Sequence, residues 1–596
     1  MLYMSGRVLL STLLLAVMSL NAGAVQNKAT EMVNQADNVY LASQVKNPID
    51  YLSDKQQAVQ LAKQGQWQQA KPLLEKLTKQ YQNDGATWYL LGLAYFNHKQ
   101  WLEAVSAFEQ ALSLGYRLTG IPNGASTPND LMVKIAQAYG FAGQQSKTIE
   151  WLNKALAARW DDKPKLAGRS LFSRDTMAAF KGMENSDEFK RVAGVIDTQD
   201  ISRDAGWRSD LAYLYAEIQR LHVNPFHSIS QADFKARVDA LHKRIPKLSD
   251  QQIVFGFMQL IGLLNNGHNI LIPAWGEHGN FAQLPVQFYL FNDGLYIVAA
   301  SDEYQHLIGS KVERIGDVSV AKAIELVGSI NARDNQMQQS WLAPYYLSLV
   351  PVLQGLGIVS AKQAVTLTLR KQDEQFTVTP KARAMRFGGF PKLPKLPKLR
   401  ASELPTYLKH NDRPYWHELF AEQSLLYVQV NDVRNRKDVS LAEFSAQLRD
   451  IIISKDIKHL VLDLRHNSGG NGSITPPLIA LTAFFELYKP QGHLFVMVGR
   501  NTFSAGHDIL VKVQAITNPI IVGEPSGTRP NTIGESGWFN LPYSRQHGLL
   551  SSQFHQTSVP EDHRIWVAPD LPIELSAKDY FAGKDSALEA IFSLSK

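Results

Sequence analysis

The 596-residue chain contains no cysteine. That absence excludes a disulfide framework, a thiol nucleophile, and zinc or iron–sulfur sites built on thiolates. It also excludes a lipid anchor attached to cysteine. Long apolar runs are equally scarce. After Leu20 no segment approaches the roughly 20 apolar residues that a membrane span requires. Charge of one sign is not in marked excess: 61 Lys and Arg against 55 Asp and Glu leave +6. The basic residues are dispersed except over 392–400, so a nucleic-acid partner is not expected and that cluster reads as a solvated linker. No His-Glu-x-x-His and no Gly-x-x-x-x-Gly-Lys pattern occurs, and no cofactor or metal is implied.

What is present begins with a leader. Arg7, the apolar stretch over 8–20 and the small-residue triplet Ala22-Gly23-Ala24 make residues 1–24 read as a secretory signal peptide. The expected location is periplasmic or secreted, with no membrane span after signal removal. Residues 46–195 read as helical repeats. Trp67 and Trp101 lie 34 residues apart, as do Ala70 and Ala104. Ala94-Tyr95 recurs 44 residues later as Ala138-Tyr139, with the additional length falling between Tyr116 and Asn129. Thirty-four is the tetratricopeptide period, and the region resembles a three-repeat array of that kind. Such arrays present a concave face on which a protein partner is possible.

Residues 200–275 form a helical subdomain by apolar spacing, with Leu211, Leu214, Ile218 and Leu221 on one stripe. It ends in Asn265-Asn266-Gly267-His268. Over 280–385 the pattern turns to strand, with a hairpin signal at Asn292-Asp293-Gly294. Residues 308–317 have the glycine-bounded cadence of a PDZ-like module. The Pro/Lys-rich stretch over 386–405 reads as an extended, exposed linker. From 406 to 590 strands and helices alternate, which predicts an α/β domain with strands at 425–430, 459–464, 494–498 and 520–522.

Three places are suited to chemistry. Strand 459–464 runs into a polar turn with Gly469-Gly470, whose backbone N–H groups can face an oxyanion. Ser504 lies at a second strand-to-helix turn, where the positive end of the helix dipole favours developing negative charge. His268 follows Gly267 at a helix end. Taken singly, each has a plainer reading as a cap residue.

Together, in this order, they resemble the tail-specific (C-terminal processing) peptidase family, closest to its tricorn-core and interphotoreceptor-retinoid-binding branch. The resemblance covers residues 200–590 through Gly267-His268, Asp463-Leu464-Arg465, Gly469-Gly470, Phe503-Ser504-Ala505, Gly523-Glu524-Pro525 and Pro569-Asp570. It implies a crotonase/ClpP-like catalytic domain and a serine peptidase acting on unfolded or C-terminal peptide segments. A non-catalytic binding protein on the same scaffold is the alternative. Where the processing peptidases carry a lysine base, this chain has Arg529, whose guanidinium stays protonated and cannot accept the serine proton. The resemblance therefore implies Ser504 as nucleophile and His268 as base, titrating in the ordinary imidazole range. Ala505 with Gly469 or Gly470 would form the oxyanion hole. Asp562, with Glu561 as its competitor, is expected as the third member. His466 and His507 are further imidazoles near the site, and Lys512 is expected to face away. If the leader reading is right, N-terminal sequencing of the exported protein begins at Val25; an intact Met1 would refute it.

Overall fold

The computed structural model describes residues 41–117, 120–167, 177–195, 201–273, 281–361, 363–385, 393–394, 396 and 404–595. The leader and most of the 386–405 tract lie outside the described residues. No described helix is long and apolar enough to cross a membrane. The chain divides into two compact units, Met1–Ile196 and Asp197–Lys596.

The first unit is built from helix pairs: Pro48–Lys63 with Trp67–Gln80, Gly85–Asn97 with Trp101–Leu114, and Pro128–Phe141 with Gln145–Ala157. The repeating alanines explain the pairing. Ala70, Ala94, Ala104 and Ala138 are fully buried, and their small side chains let neighbouring helices approach closely. The insert before the third pair is anchored rather than free. Tyr89 Oη donates to Ala125 O at 3.1 Å and accepts from Ala125 N at 2.7 Å, and Tyr116 stacks on Tyr89 at 4.3 Å. Thr127 and Asp130 then close a capping box on Pro128–Phe141.

The second unit holds the α/β part. Its six-stranded sheet runs Tyr415–Phe420, Leu425–Val430, His459–Asp463, His493–Val498, Ile520–Gly523 and Leu571–Pro572, and every neighbouring pair but the first is parallel. Alternate residues of these strands feed two cores. Leu426, Val428, Leu460, Leu462 and Val496 pack with the helices Leu441–Ser454, Pro476–Tyr488 and Ala505–Ile516. Leu425, Tyr427, Val461, Phe495 and Met497 pack on the opposite side with Leu588 and Ile591. Burial on both faces is the reason these strands read as continuous apolar runs.

A second sheet pairs Val286–Phe291, Gly294–Ala300, Lys311–Ile315, Leu367–Lys371 and Glu374–Val378, with the expected two-residue hairpin between Phe291 and Gly294. The helical lead-in, Arg203–Leu221, Gln231–Arg244 and Asp250–Gly262, is capped by Ser202, Ser230 and Ser249. It delivers the chain to the strand Ile270–Ile272, which pairs with His547–Leu550.

One expectation is corrected. The tract around 391–399 is not a solvated linker where it is described: Leu393 and Leu396 are buried with Phe291, Tyr407 and Tyr580, and Tyr580 Oη donates to Pro394 O at 2.9 Å. Leu393 and Leu396 stand three residues apart, the period of a polyproline turn, a spacing that puts both on one edge.

The turns inside the helix pairs give a test. Gly65 and Gly143 take left-handed φ of 71° and 73°, and in the middle pair Lys99 takes φ 59°. A side chain there is strained where glycine is not. Lys99→Gly should stabilise the repeat unit by about 0.5–1 kcal/mol in denaturant unfolding; an unchanged or lower midpoint contradicts this.

Candidate active site

Four loops leave the carboxyl ends of the parallel strands on one side of the sheet, where open α/β sheets place their sites. Two of them are fastened together by backbone and short side chains. Phe503 N donates to Asn467 O at 3.0 Å, Thr502 Oγ1 donates to Leu464 O at 2.9 Å, and Gly499 N donates back to Thr502 Oγ1 at 3.0 Å. The loop after Leu425–Val430 joins through Val433, whose N donates to Gly469 O at 2.9 Å and whose O accepts from Asn471 N at 2.7 Å.

Between these fastenings Ser504 adopts φ 52°, ψ −131°, and its side chain makes no capping bond although it precedes the helix Ala505–Ile516. The plain reading as an N-cap is therefore not what the serine does. A non-glycine residue so placed costs on the order of 1–3 kcal/mol and persists only where its surroundings overdetermine it. The conformation is that of a serine thrust out of a sharp strand-to-helix turn, although Thr502 replaces the first glycine of the usual elbow. Gly469 lies against it: a Cβ there would stand 2.6 Å from Ser504 Cβ and 3.1 Å from Oγ.

A cleft of about 590 Å³ opens on this turn and is lined by Ser504, His268, Gly470, Ala505, Asp508 and Lys512 among others. The backbone donors divide. Gly469 N–H is taken up by Asn467 Oδ1 at 2.9 Å. Gly470 is exposed, and neither its N–H nor that of Ala505 has a bond among the described residues. Gly470 and Ala505 are thus the pair open to an oxyanion.

His268 stacks on Phe503 with ring centroids 4.4 Å apart, and Trp341 meets the same phenyl ring at 5.8 Å. Its Nδ1 is enclosed and has no hydrogen-bond partner among the described residues. Burial pushes the imidazole down to about 4; Asp334 and Asp508 act against that and His555 adds to it. The ring is neutral at neutral pH and carries a lone pair for a proton.

Of the residues expected from the sequence, Ser504, His268, Ala505 and Gly470 share the cleft, with Gly469 behind them. Asp562 is elsewhere. It does not line the cleft but pairs with Arg564 at 2.7 Å, which holds its carboxyl well below the usual range. Glu561 is exposed beside it. The orientation of that turn follows the Arg564 guanidinium, a partner that spacing did not suggest. His507 is buried and pushed down to about 3 by burial and then by Arg564. His466 stacks on Tyr407 at 5.7 Å, beside a separate small cavity. Lys512 is a correction: it lines the cleft. Residues 504, 508 and 512 are spaced by four along one helix, so helical periodicity carried that signal. Arg529 Nε donates to Asp334 O at 2.9 Å, and the side chain is exposed.

Residues 85–116 match the tetratricopeptide repeat family model. No curated protein gives a sequence match. Among solved structures, the chain is similar to mature CPAF complexed with lactacystin, at 13% identity over 66% of this chain and 98% of that chain, TM-score 0.47. It is also similar to the photosystem II D1 C-terminal processing protease, at 12% identity over 65% of this chain and 99% of that chain, TM-score 0.32. A third is the tricorn protease, at 12% identity over 66% of this chain and 37% of that chain, TM-score 0.31.

The strain at Ser504 is measurable. Ser504→Gly should raise unfolding stability by about 1–2 kcal/mol, whereas Ser504→Ala keeps the Cβ and should not. Equal stability of the two variants in denaturant titrations would show that the backbone there is unstrained.

Proposed function

We propose that the second unit is a serine peptidase that works through an acyl-enzyme on Ser504. The observation that carries this is the strained serine and the neutral imidazole opening on one cleft, beside two unoccupied N–H groups. Neutral His268 takes the Ser504 proton as Oγ attacks the peptide carbonyl. The tetrahedral oxyanion accepts from Ala505 N–H and Gly470 N–H, groups of the cleft lining with no bond among the described residues. His268 then gives its proton to the leaving amine, and water repeats the sequence in reverse to free the acid.

The cleft wall also bears on substrate. Ile270, Leu342, Tyr346 and Leu549 supply apolar surface, which suits an apolar side chain beside the cut bond. Unfolded or C-terminal peptide segments are the substrates we infer, following the resemblance to the tail-specific peptidases. The β-rich sheet corresponds in this reading to the PDZ-like module, and the six-stranded sheet to a crotonase/ClpP-like domain. The leader 1–24 would deliver the enzyme to the periplasm or medium. The repeat unit would offer a face to a protein partner.

The pH dependence departs from the ordinary imidazole range expected from the sequence. The competent form is neutral His268, so kcat/KM rises with pH through its ionisation. Burial lowers that ionisation to about 4, so activity should be level from weakly acid to neutral pH. A limb between 6 and 7 would contradict this environment. His268→Gln should reduce turnover on the order of 10²–10⁴-fold, and Arg529→Gln far less. A serine-directed fluorophosphonate should label wild type but not Ser504→Ala. Failure to label wild type would move the protein to the binding class.

A further inference from the structure

Among the described residues His268 Nδ1 has no hydrogen-bond partner, so no carboxylate there holds the ring directly. The backbone immediately before it is gripped on both sides. Asp334 Oδ1 accepts from Gly267 N at 2.9 Å, and Gln338 Nε2 donates to Gly267 O at 2.8 Å. The two grips are tied together, because Asp334 N donates to Gln338 Oε1 at 2.9 Å. A Cβ on Gly267 would stand 2.3 Å from Gln338 Oε1, so the clamp closes only on glycine.

The other carboxylate oxygen of Asp334 accepts from Thr532 Oγ1 at 3.1 Å and from Thr528 Oγ1. Asp334 is 4% exposed and Gln338 1%. All three partners of the carboxylate are neutral donors, and no cation pairs with it among the described residues. An asparagine could accept the Gly267 bond without the cost of enclosing a charge. The charge is therefore kept where its field reaches the imidazole.

Resting on the peptidase reading above, we propose that Asp334 is the positioning carboxylate of this site. It sets His268 through the Gly267 backbone, together with Gln338, and its charge favours the imidazolium without touching the ring. Asp334 and Asp508 both raise the His268 ionisation against burial, and His555 opposes them. The other charged groups facing the cleft are Glu535, 3.6 Å from His555, and Lys512. A carboxylate stabilising an imidazolium in place is the part that aspartate plays in a serine–histidine–aspartate triad. Here the charge acts from one residue further back.

The rate of Ser504 modification by a fluorophosphonate, followed from pH 3 to 8, separates the two roles. Asp334→Asn should keep the backbone grip but lose the charge. The acid limb should move about one pH unit lower, and the plateau should fall several-fold. Gln338→Met should lower the plateau, on the order of tenfold or more for a base displaced from line, and leave the limb where it is. Thermal unfolding shows how much of each variant is folded. If folded Asp334→Asn reacts with wild-type rate and limb, the inference fails. Should that variant not fold, an unaltered plateau in Gln338→Met overturns it. A labelled wild type with indifferent variants sinks this inference alone, whereas an unlabelled wild type sinks the peptidase reading with it.

Discussion

The site depends on holding one serine in a backbone conformation that its own side chain resists. Ser504 at φ 52°, ψ −131° would relax if either flank were free. On one side Phe503 N is bonded to Asn467 O, and on the other the helix Ala505–Ile516 begins at once, with His507 N and Asp508 N both donating to Ser504 O. Thr502 locks the turn to the neighbouring strand end through Leu464 O. The energy stored at the serine is thus opposed by ladders and helix turns on every side, and that opposition aims Oγ.

Buried charge stiffens the same loops from below. Arg465 bonds Asp463 and Asp585, and Arg500 makes a two-pronged pair with Glu524 while donating to Leu290 O at 2.6 Å. Such pairs add little net stability over apolar packing, yet losing one partner is severely destabilising. Their effect is to fix geometry: Arg465 and Arg500 each stand two residues past the end of one of the strands whose loops meet at Ser504. In contrast, the His268 imidazole is left uncharged by its surroundings.

Much of this was legible in the residues. The parallel strands announced themselves as short apolar runs, and the helix starting at Ala505 followed from the pattern to the residue. Gly267-His268, Gly469-Gly470 and Ser504 stood out because each joins an apolar segment to a polar turn. The Asp334 and Gln338 contacts with Gly267 did not stand out. Asn335 caps the helix Gln336–Tyr346, so Asp334-Asn335 looks like any helix start. Its contact with Gly267 spans 67 residues and appears only once the helical lead-in folds back. Asp562 misled for a related reason: its turn lies at the expected distance along the chain, but Arg564 two residues on captures the carboxylate. Local charge pairing decided what linear position could not.

Phe503 has a consequence beyond packing. The residue adjoining Ser504 is also the platform for the His268 ring, so a single codon governs the posture of both side chains. Substitutions at 503 cannot retune the imidazole while sparing the serine, and drift at that position is penalised twice. Lineages carrying this turn would then inherit the two groups as one unit. Diversification would be left to the apolar wall of Ile270, Leu342, Tyr346 and Leu549, where a change alters the lining of the cleft without disturbing the Ser504 turn.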